Sequence, residues 1–507
     1  MQKVKQHRFM DTLEHLGDKL PHPFYIFIYL CIGVLLFSAL LSGNSVLHPS
    51  SGQEVLVKNL LSSQGLIYIL ESAVNNFIGF KPLGLVLCMM LAVGLLQESG
   101  LADAAIKAAL LNAPKRFVTA SIFFVGIIGN LASDAAFIII PPLAGIIFAA
   151  THRHPVVGIA AGFVAVAAGF TANIFIAGTD VLLSGITSEA TSVVKAMTIS
   201  PTANWYFMLV SVPLLVIVGT LVTDYLVEPR FLRRYPLKDL INSDANLNDN
   251  KRQYQVSLQQ KTALKWTSIT AILYIGLILL LVLPASSPLK NSTGDLSHSH
   301  FLKGIIPIIM MFFIACAIVF GVCDKVITKP DDVPLLIAKS LRTVGNYIVL
   351  VFVIAQFIEW FKWSNLAIYI AVESAQWLTS LSLPTILMLI IFIFLTGILN
   401  LIVYSGSAQW AIMAPIFIPL FMLLDISPEV IQMAYRIGDS TTNIIAPTNP
   451  YIPMILALMV KYQPNIKFGT LMTMMLPYLI SLLFSWTVLF LIYYQLGFPL
   501  GSGISAL

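Results

Sequence analysis

The sequence predicts an all-α polytopic membrane protein, with about nine transmembrane helices plus two re-entrant helical hairpins, built as inverted-topology repeats with broken helices. Three observations predict it. Of 507 residues, 58% are hydrophobic and only 10% are charged, with a mean hydropathy of +0.87. A soluble domain carries about 25% charged residues. Long apolar runs recur along the whole chain, and most approach the ~20 residues that cross ~30 Å of hydrocarbon. Two sets of polar and small-residue motifs, set in apolar surroundings, recur in the two halves at one register.

The apolar runs place spans at roughly 24–42, 78–98, 155–183, 205–227, 265–285, 303–323, 343–360, 430–460 and 468–495. The basic stretch from Lys3 to Arg8 precedes an apolar run too long for a signal-peptide core, so the first run reads as an uncleaved span. Segments 117–150 and 384–424 are too long for one helix and are interrupted by polar and small residues, so they read as hairpins that enter and leave on one side. The chain divides into a first repeat (1–227), a polar linker (228–264) rich in Asn, Asp, Gln and Lys, a connecting span (265–302) and a second repeat (303–507).

Charge sets the orientation. With the N-terminus inside, only Lys58, Lys81, Lys195, Lys290, Lys303 and Lys362 of the 29 lysines and arginines fall outside, and Arg436 falls within a span. That split obeys the positive-inside rule. Reading either hairpin as a full crossing spoils it. The expected protein is multi-pass in the bacterial inner membrane, with a cytoplasmic N-terminus and a periplasmic C-terminus. No basic cluster interleaved with aromatics supports nucleic-acid binding. Cys31, Cys88, Cys316 and Cys323 are spaced for neither a disulfide framework nor zinc. No Gly-x-x-x-x-Gly-Lys-Ser/Thr loop offers ATP drive.

The repeat is read from four segments. Ser133 and Ser407 each precede a proline by eight residues, at Pro141 and Pro415, across an apolar stretch. Thr171-Ala-Asn173 and the following Gly178-Thr179-Asp180 match Thr441-Thr-Asn443 and Pro447-Thr-Asn449 with one gap. An odd number of crossings separates the two sets, so their orientations are opposite. Broken helices at membrane depth leave backbone N–H and C=O groups that are tolerable only inside protein or around a wet cavity. Such groups attract anions at helix N-termini and coordinate cations at freed carbonyls.

Intramembrane polar residues mark the expected site. Arg436 and Asp439 lie three apart on one helix face. They either form a local pair that offsets the cost of burial, or serve transport, with Arg436 binding a substrate carboxylate and Asp439 holding Na⁺ or carrying a proton. Asp180 lies either at the cavity or at a solvated helix end. Asp134 reads equally as a cap or a functional group. Asn400 offers an oxygen of the kind hard cations prefer. Trp410, beside Ser405, Gly406, Ser407 and Gln409, either stacks on an aromatic substrate or packs. His152 and His154 have no partner ligand in sequence.

At these residues the chain resembles the p-aminobenzoyl-glutamate transporter (AbgT) family. The likeness is carried by Ser133-Asp134-Ala-Ala with Pro141-Pro142, Gly169-Phe-Thr-Ala-Asn173, Thr179-Asp180-Val-Leu-Leu-Ser-Gly and Ser405-Gly-Ser-Ala-x-Trp410. Ala414-Pro-Ile-Phe-x-Pro419, Tyr435-Arg436-Ile-x-Asp439-Ser440, Pro21-His22-Pro23-Phe24 and Asn204-Trp-Tyr-Phe-Met extend it over essentially the whole chain. The resemblance implies nine spans and two hairpins, a bowl-shaped homodimer, and transport of p-aminobenzoyl-glutamate-like folate catabolites, with export of sulfonamide antimetabolites in some members. It implies functional roles at Asp180, Asn400, Ser407, Trp410, Pro428, Arg436, Asp439 and Pro447, all present here. The Pro447-Thr-Asn-Pro450 stretch differs from the family's usual pattern.

The expected protein is therefore a secondary transporter. Its substrate-binding residues are Asp180, Ser133, Asn173, Ser407, Trp410, Arg436, Asn443 and Pro447. Asn400 and Asp439 couple Na⁺ or H⁺, and no other cofactor or metal is expected. An intramembrane enzyme would need a nucleophile–base pair or metal cluster, which the sequence does not display. Against a channel, the Asp residues form no repeated pore-lining pattern, and the two hairpins enter from opposite faces as in alternating-access carriers.

Overall fold

A backbone surrounded by hydrocarbon has no water to satisfy its N–H and C=O groups and must bond within each segment. Helix accordingly dominates the computed structural model, which describes residues 22–48, 52–111, 113–132, 134–237, 255–284, 286–290 and 299–502. Among these residues the strands are a single antiparallel ribbon, Ser45–Leu47 (β1) with Glu54–Leu56 (β2).

The first half runs through α1 (Pro23–Leu40), α2 (Ser63–Ile78), α3 (Lys81–Glu98) and α4 (Leu101–Leu111). Hairpin 1 follows as α5 (Val118–Gly129) and α6 (Asp134–Ala150). Then come a broken helix, α7 (Pro155–Ala167) and α8 (Gly178–Thr191), and α9 (Trp205–Leu221). A π-helical turn, Val222–Val227, carries α9 into α10 (Glu228–Arg234). Beyond the linker lie α11 (Leu258–Val282), α12 (Ile305–Cys323), α13 (Asp332–Ser340), α14 (Gly345–Trp363) and α15 (Leu366–Ser380). Hairpin 2 is α16 (Thr385–Asn400) and α17 (Gly406–Met422). The second broken helix is α18 (Pro428–Thr442) and α19 (Ile452–Tyr462), and α20 (Phe468–Gln495) closes the fold.

Prolines mark several starts. Pro23, Pro82, Pro155 and Pro428 occupy the first turn of their helices, where a missing N–H breaks no bond and the fixed φ suits the helix. Among the described residues seven helical stretches are long and apolar enough to cross a bilayer. The two broken helices, each made of two short pieces, supply the other two crossings.

Among the described residues five helices were not expected from sequence: α2, α4, α10, α13 and α15. Apolar runs reveal helices that are apolar all round, whereas these are short or amphipathic, with Glu71, Asn75 and Asn76 interrupting α2. The second span begins at Lys81, with α2 running into it across Gly79 and Phe80. The second piece of the first broken helix extends to Thr191. Ser133 and residues 238–254 of the polar linker lie outside the described residues.

The seven elements from α3 to α9 recur in the same order from α14 to α20. The halves also exchange partners. α12, which precedes the second set, packs on α3 of the first, and α1, which precedes the first set, packs on α14 of the second. At the open end of hairpin 1, Arg153 donates from Nη1 to Thr119 Oγ1 at 2.7 Å and from Nη2 to Asp224 at 2.6 Å, and it grips Glu228 through Nε at 3.0 Å. That network ties the hairpin's open end to the π-helical turn.

The centre of the molecule is where the broken helices meet. Every residue of α7 and of α18 is buried. α7 is apolar and made mostly of small residues. α18 carries Glu429, Gln432, Arg436, Asp439, Ser440, Thr441 and Thr442 into the same core. Polar side chains at such depth are costly and mark function by default.

Candidate functional site

α18 reaches its place because small residues let it approach hairpin 2. A Cβ on Gly438 would lie 2.4 Å from the Ile393 carbonyl oxygen, so only glycine fits against α16. This contact brings the end of α18 beside Asn400, the last residue of α16. Asn400 Nδ2 donates to the Asp439 carbonyl (2.8 Å), Thr442 Oγ1 (2.9 Å) and Asn443 Oδ1 (2.8 Å). The first half repeats the device: Asn130, ending the first arm of hairpin 1, donates from Nδ2 to the Val166 carbonyl at 3.0 Å, on the last turn of α7. Each hairpin is thus clamped to a broken helix where that helix runs out of partners.

The two breaks touch each other. Thr171 Oγ1 and Ser440 Oγ share a 2.7 Å hydrogen bond, and Asn443 Nδ2 donates to the Ala167 carbonyl at 3.3 Å. Beside this crossing lies a cavity of about 530 Å³, within the range of small-molecule sites. Its aromatic lining comprises Phe137, Phe170, Tyr404, Tyr435 and Tyr451, with Phe137 and Tyr451 stacked at 4.1 Å between centroids and 3° between planes. Polar lining comes from Ser405, Ser407, Thr171, Thr179, Asn443 and Asp439, and Asn346 adds one polar group from α14.

Asp439 sits between α18 and the N-terminus of α17. A Cβ on Gly406 would stand 3.1 and 3.2 Å from its two carboxylate oxygens, so the absence of a side chain there lets the helix end approach the charge. An N-terminus favours a carboxylate through its free N–H groups and dipole. Tyr435 spends its hydroxyl proton mainly on the Gly406 carbonyl, at 2.5 Å, and stands 3.4 Å from Asp439 Oδ1. Asp439 Oδ2 and Asn400 Oδ1 are buried without a hydrogen-bond partner. These two orphaned oxygens are of the type that holds a hard cation. Among the described residues no cluster of three or more His, Cys, Asp and Glu side chains exists to hold a transition metal.

Arg436 and Asp439, expected on one face, do not pair. Arg436 Nη2 reaches across the halves to Asp180 Oδ1, and both side chains are buried. Asp180 Oδ2 meanwhile accepts from Ala177 N at 2.7 Å and caps α8. The longer reach of arginine and the demand of a buried N-terminus together favour Asp180 as partner. Thr179, next to Asp180, lines the cavity; Asp180 and Arg436 stand behind its wall.

Trp410 also stands behind the wall, without exposure. Its Nε1 donates to Thr187 Oγ1 at 3.0 Å, and its ring meets that of Tyr435 at 4.4 Å. Thr187 donates to Gln432 Oε1 (2.6 Å), Gln432 to Asn204 Oδ1 (2.7 Å) and Asn204 to the Glu429 carbonyl (2.9 Å). A buried indole N–H needs a partner; Trp410 finds it on α8 and so faces away from the cavity and supports Tyr435. Pro447 is half-buried in the break, while Pro450 and Tyr451 reach the cavity. Asn173 is buried beside the crossing with Nδ2 unpartnered, and Pro428 starts α18. Of the residues expected at the substrate, the structure therefore brings Ser407 and Asn443 to the cavity, with Asp439 beside them. Sequence reasoning did not find Phe137, Phe170, Asn346, Tyr404, Tyr435 or Tyr451. Tyr404 directly adjoins a motif that was found, and Phe170 and Tyr435 lie within such motifs.

Three comparisons bear on this arrangement. The family model described as "AbgT putative transporter family" matches residues 8–507. The p-aminobenzoyl-glutamate transport protein of Escherichia coli is 37% identical over 496 residues, 97% of this chain and 96% of that protein. Two solved structures share the fold. The YdaH transporter of Alcanivorax borkumensis, reported to have an unusual topology, superposes with a TM-score of 0.87 at 34% identity, over 95% of this chain and 100% of that one. MtrF of Neisseria gonorrhoeae, described with a class of antimetabolite efflux pumps, superposes with a TM-score of 0.90 at 37% identity, over 96% of this chain and 97% of that one.

Proposed function

Since the chain belongs to the AbgT family and is a transporter, not an enzyme, we infer that it carries p-aminobenzoyl-glutamate-like aromatic carboxylates through the cavity at the crossing of its broken helices, driven by a Na⁺ or H⁺ gradient. The observation that carries this reading is the cavity's composition, divided between five aromatic rings and a set of hydroxyls, amides and a helix N-terminus. The substrate has the same division, an aminophenyl ring joined by an amide to two carboxylates. The ring fits against Tyr404 and the stacked Phe137–Tyr451 pair. A carboxylate fits beside Ser405 and Ser407 at the N-terminus of α17 once the coupling ion neutralises Asp439 there.

The remaining carboxylate finds its cation in Arg436. Asp180 occupies that guanidinium in the structure, so a substrate carboxylate would have to displace it and leave Asp180 to its backbone cap at Ala177 N. Asp439 Oδ2 and Asn400 Oδ1, both unpartnered, are the groups for the coupling ion. Na⁺ would take both oxygens; a proton would take Asp439 alone. In this reading the protein is a homodimer in the bacterial inner membrane, with its N-terminus cytoplasmic and its C-terminus periplasmic, as the loop charges favour.

The test is flux of labelled p-aminobenzoyl-glutamate into proteoliposomes under an imposed Na⁺ or H⁺ gradient, with Asp439→Asn alongside. Flux that follows one ion and is lost in the variant supports both substrate and coupling group. Absence of flux with either ion, from folded protein, removes the substrate assignment. A second reading, export of a sulfonamide antimetabolite, is favoured by the likeness to MtrF and by the aromatic walls, since a sulfonamide shares the aminophenyl ring. Competition between the two compounds for one binding site distinguishes a shared cavity from separate ones.

A further inference from the structure

A second hollow lies apart from the substrate cavity. α4 and α5 diverge from the segment that joins them and enclose a groove of about 260 Å³. Every residue along it is apolar, from Leu101, Ala105 and Ala109 on α4 to Phe124 and Ile128 on α5, and it ends against Ala132 before the tip of hairpin 1. Ala105 and Ala109 lie one turn apart and, with Phe124, are exposed at its mouth. The groove offers no polar group to hold water or a charged solute. Left empty, it forfeits the dispersion contacts that a packed wall makes. α5 is an arm of a re-entrant hairpin, so the medium at the mouth is lipid.

We propose that this groove holds one acyl chain of an anionic phospholipid of the inner leaflet. Charge complementarity selects the headgroup. The joining segment carries Lys115 and Arg116, with Arg116 exposed, and basic residues at the membrane surface attract anionic lipid. The groove runs along α4 from Ala109 to Leu101, about 12 Å at 1.5 Å per residue, which accommodates much of one chain. Small residues at its mouth leave the opening that a larger side chain would close. The far end of the chain would rest on Leu131 and Ala132, next to Asn130, the residue that clamps hairpin 1 to α7. A bound lipid thus braces the hairpin tip from the side opposite the substrate. The inference rests on the membrane fold and not on which solute is carried.

The experiment is native mass spectrometry of the purified full-length protein after delipidation and re-addition of phosphatidylglycerol or phosphatidylcholine with identical acyl chains. Retention of one phosphatidylglycerol per chain is expected, at least tenfold above phosphatidylcholine. Ala105→Trp should lower retention about tenfold by filling the groove at an exposed position, and Arg116→Glu should remove the headgroup preference. Equal retention by folded Ala105→Trp and the parent protein would overturn the site, and equal retention of the two lipids by the parent would overturn its anionic character. A second measurement does not depend on plugging the groove. In a Phe124→Trp variant, the added fluorescence should be quenched by phosphatidylglycerol brominated on its acyl chain, and absence of quenching overturns the proposal.

Discussion

Arg436 on α18 grips Asp180 on α8, a residue 256 positions away in the other half of the chain, and leaves Asp439, three positions away on its own helix, to the N-terminus of α17. One cation and two carboxylates are thereby sorted. The pair holds the two broken helices together, and the second carboxylate stays available.

Removing one partner should therefore damage the fold, and removing both should not. Asp180→Ala leaves a buried guanidinium unpaired, and breaking such a pair costs about 3–5 kcal/mol. We expect a large fall in Tm in detergent for Asp180→Ala, recovery in the Asp180→Ala/Arg436→Met double variant, and no transport by either. Recovery of flux in the double variant would show that the pair is structural only.

Asp439→Asn keeps the size of the side chain and removes its charge. Gradient-driven flux is expected to fall at least tenfold, while equilibrium binding of p-aminobenzoyl-glutamate persists but loses its dependence on the coupling ion. Binding that still responds to that ion would move the coupling site elsewhere.

Gly406→Ala tests the approach of helix to charge. Its Cβ would stand 3.1 Å from the Asp439 carboxylate, and the helix end must shift by a few tenths of an ångström. A loss of coupled flux with Tm unchanged is expected. Wild-type flux would mean that the contact tolerates displacement.

The aromatic walls and the tryptophan behind them should separate in titrations. Tyr451→Leu removes a ring that stacks on Phe137 at the cavity and should weaken binding of an aromatic substrate about fivefold, or about 1 kcal/mol. Trp410→Phe keeps a ring beside Tyr435 but breaks the bond to Thr187, so about 1–3 kcal/mol of stability is lost with a smaller change in affinity. The reverse order would place the indole at the substrate.

Acid should destabilise the protein through His154. The side chain lies between hairpin 1 and α7, where its Nδ1 accepts from Val156 N at 3.2 Å and burial pushes its pKa down to about 4. An unfolded histidine takes up a proton near pH 6.5. Between those values the unfolded state binds the extra proton, so stability falls as the pH is lowered, by up to about 3 kcal/mol at pH 4. His154→Asn keeps a capping acceptor and does not titrate, so its Tm should fall less between pH 6.5 and 4 than that of the parent. Parallel acid profiles would exclude the assignment.

The spans, hairpins and breaks were legible in sequence because each has a local signature: an apolar run, or Asn, Gly, Ser and Pro where such a run is interrupted. The short helices α4 and α15 lack one, since eleven or fifteen amphipathic residues resemble a loop when only apolar runs are sought. The site was half legible. Asp439, Ser407 and Asn443 stand out as polar groups at membrane depth. The facing of Trp410 did not, because Trp410 is buried without remainder and its direction is decided by Thr187 on another helix. Asn346 reaches the cavity only through tertiary approach, with no neighbouring motif to announce it, and Phe137, inside the motif from Ser133 to Pro141, looks there like any other apolar residue.

The exchange of partners between the halves has a consequence for biogenesis. Cys31 on α1 lies against the Val353 carbonyl on α14, 322 residues later. At about 5–20 residues per second of synthesis, α1 leaves the ribosome roughly 16–64 s before the surface it will cover exists. Throughout that interval the insertion machinery or the bilayer must stand in for α14, and a chain truncated before residue 345 would leave α1 orphaned in the membrane, a natural substrate for quality-control proteolysis.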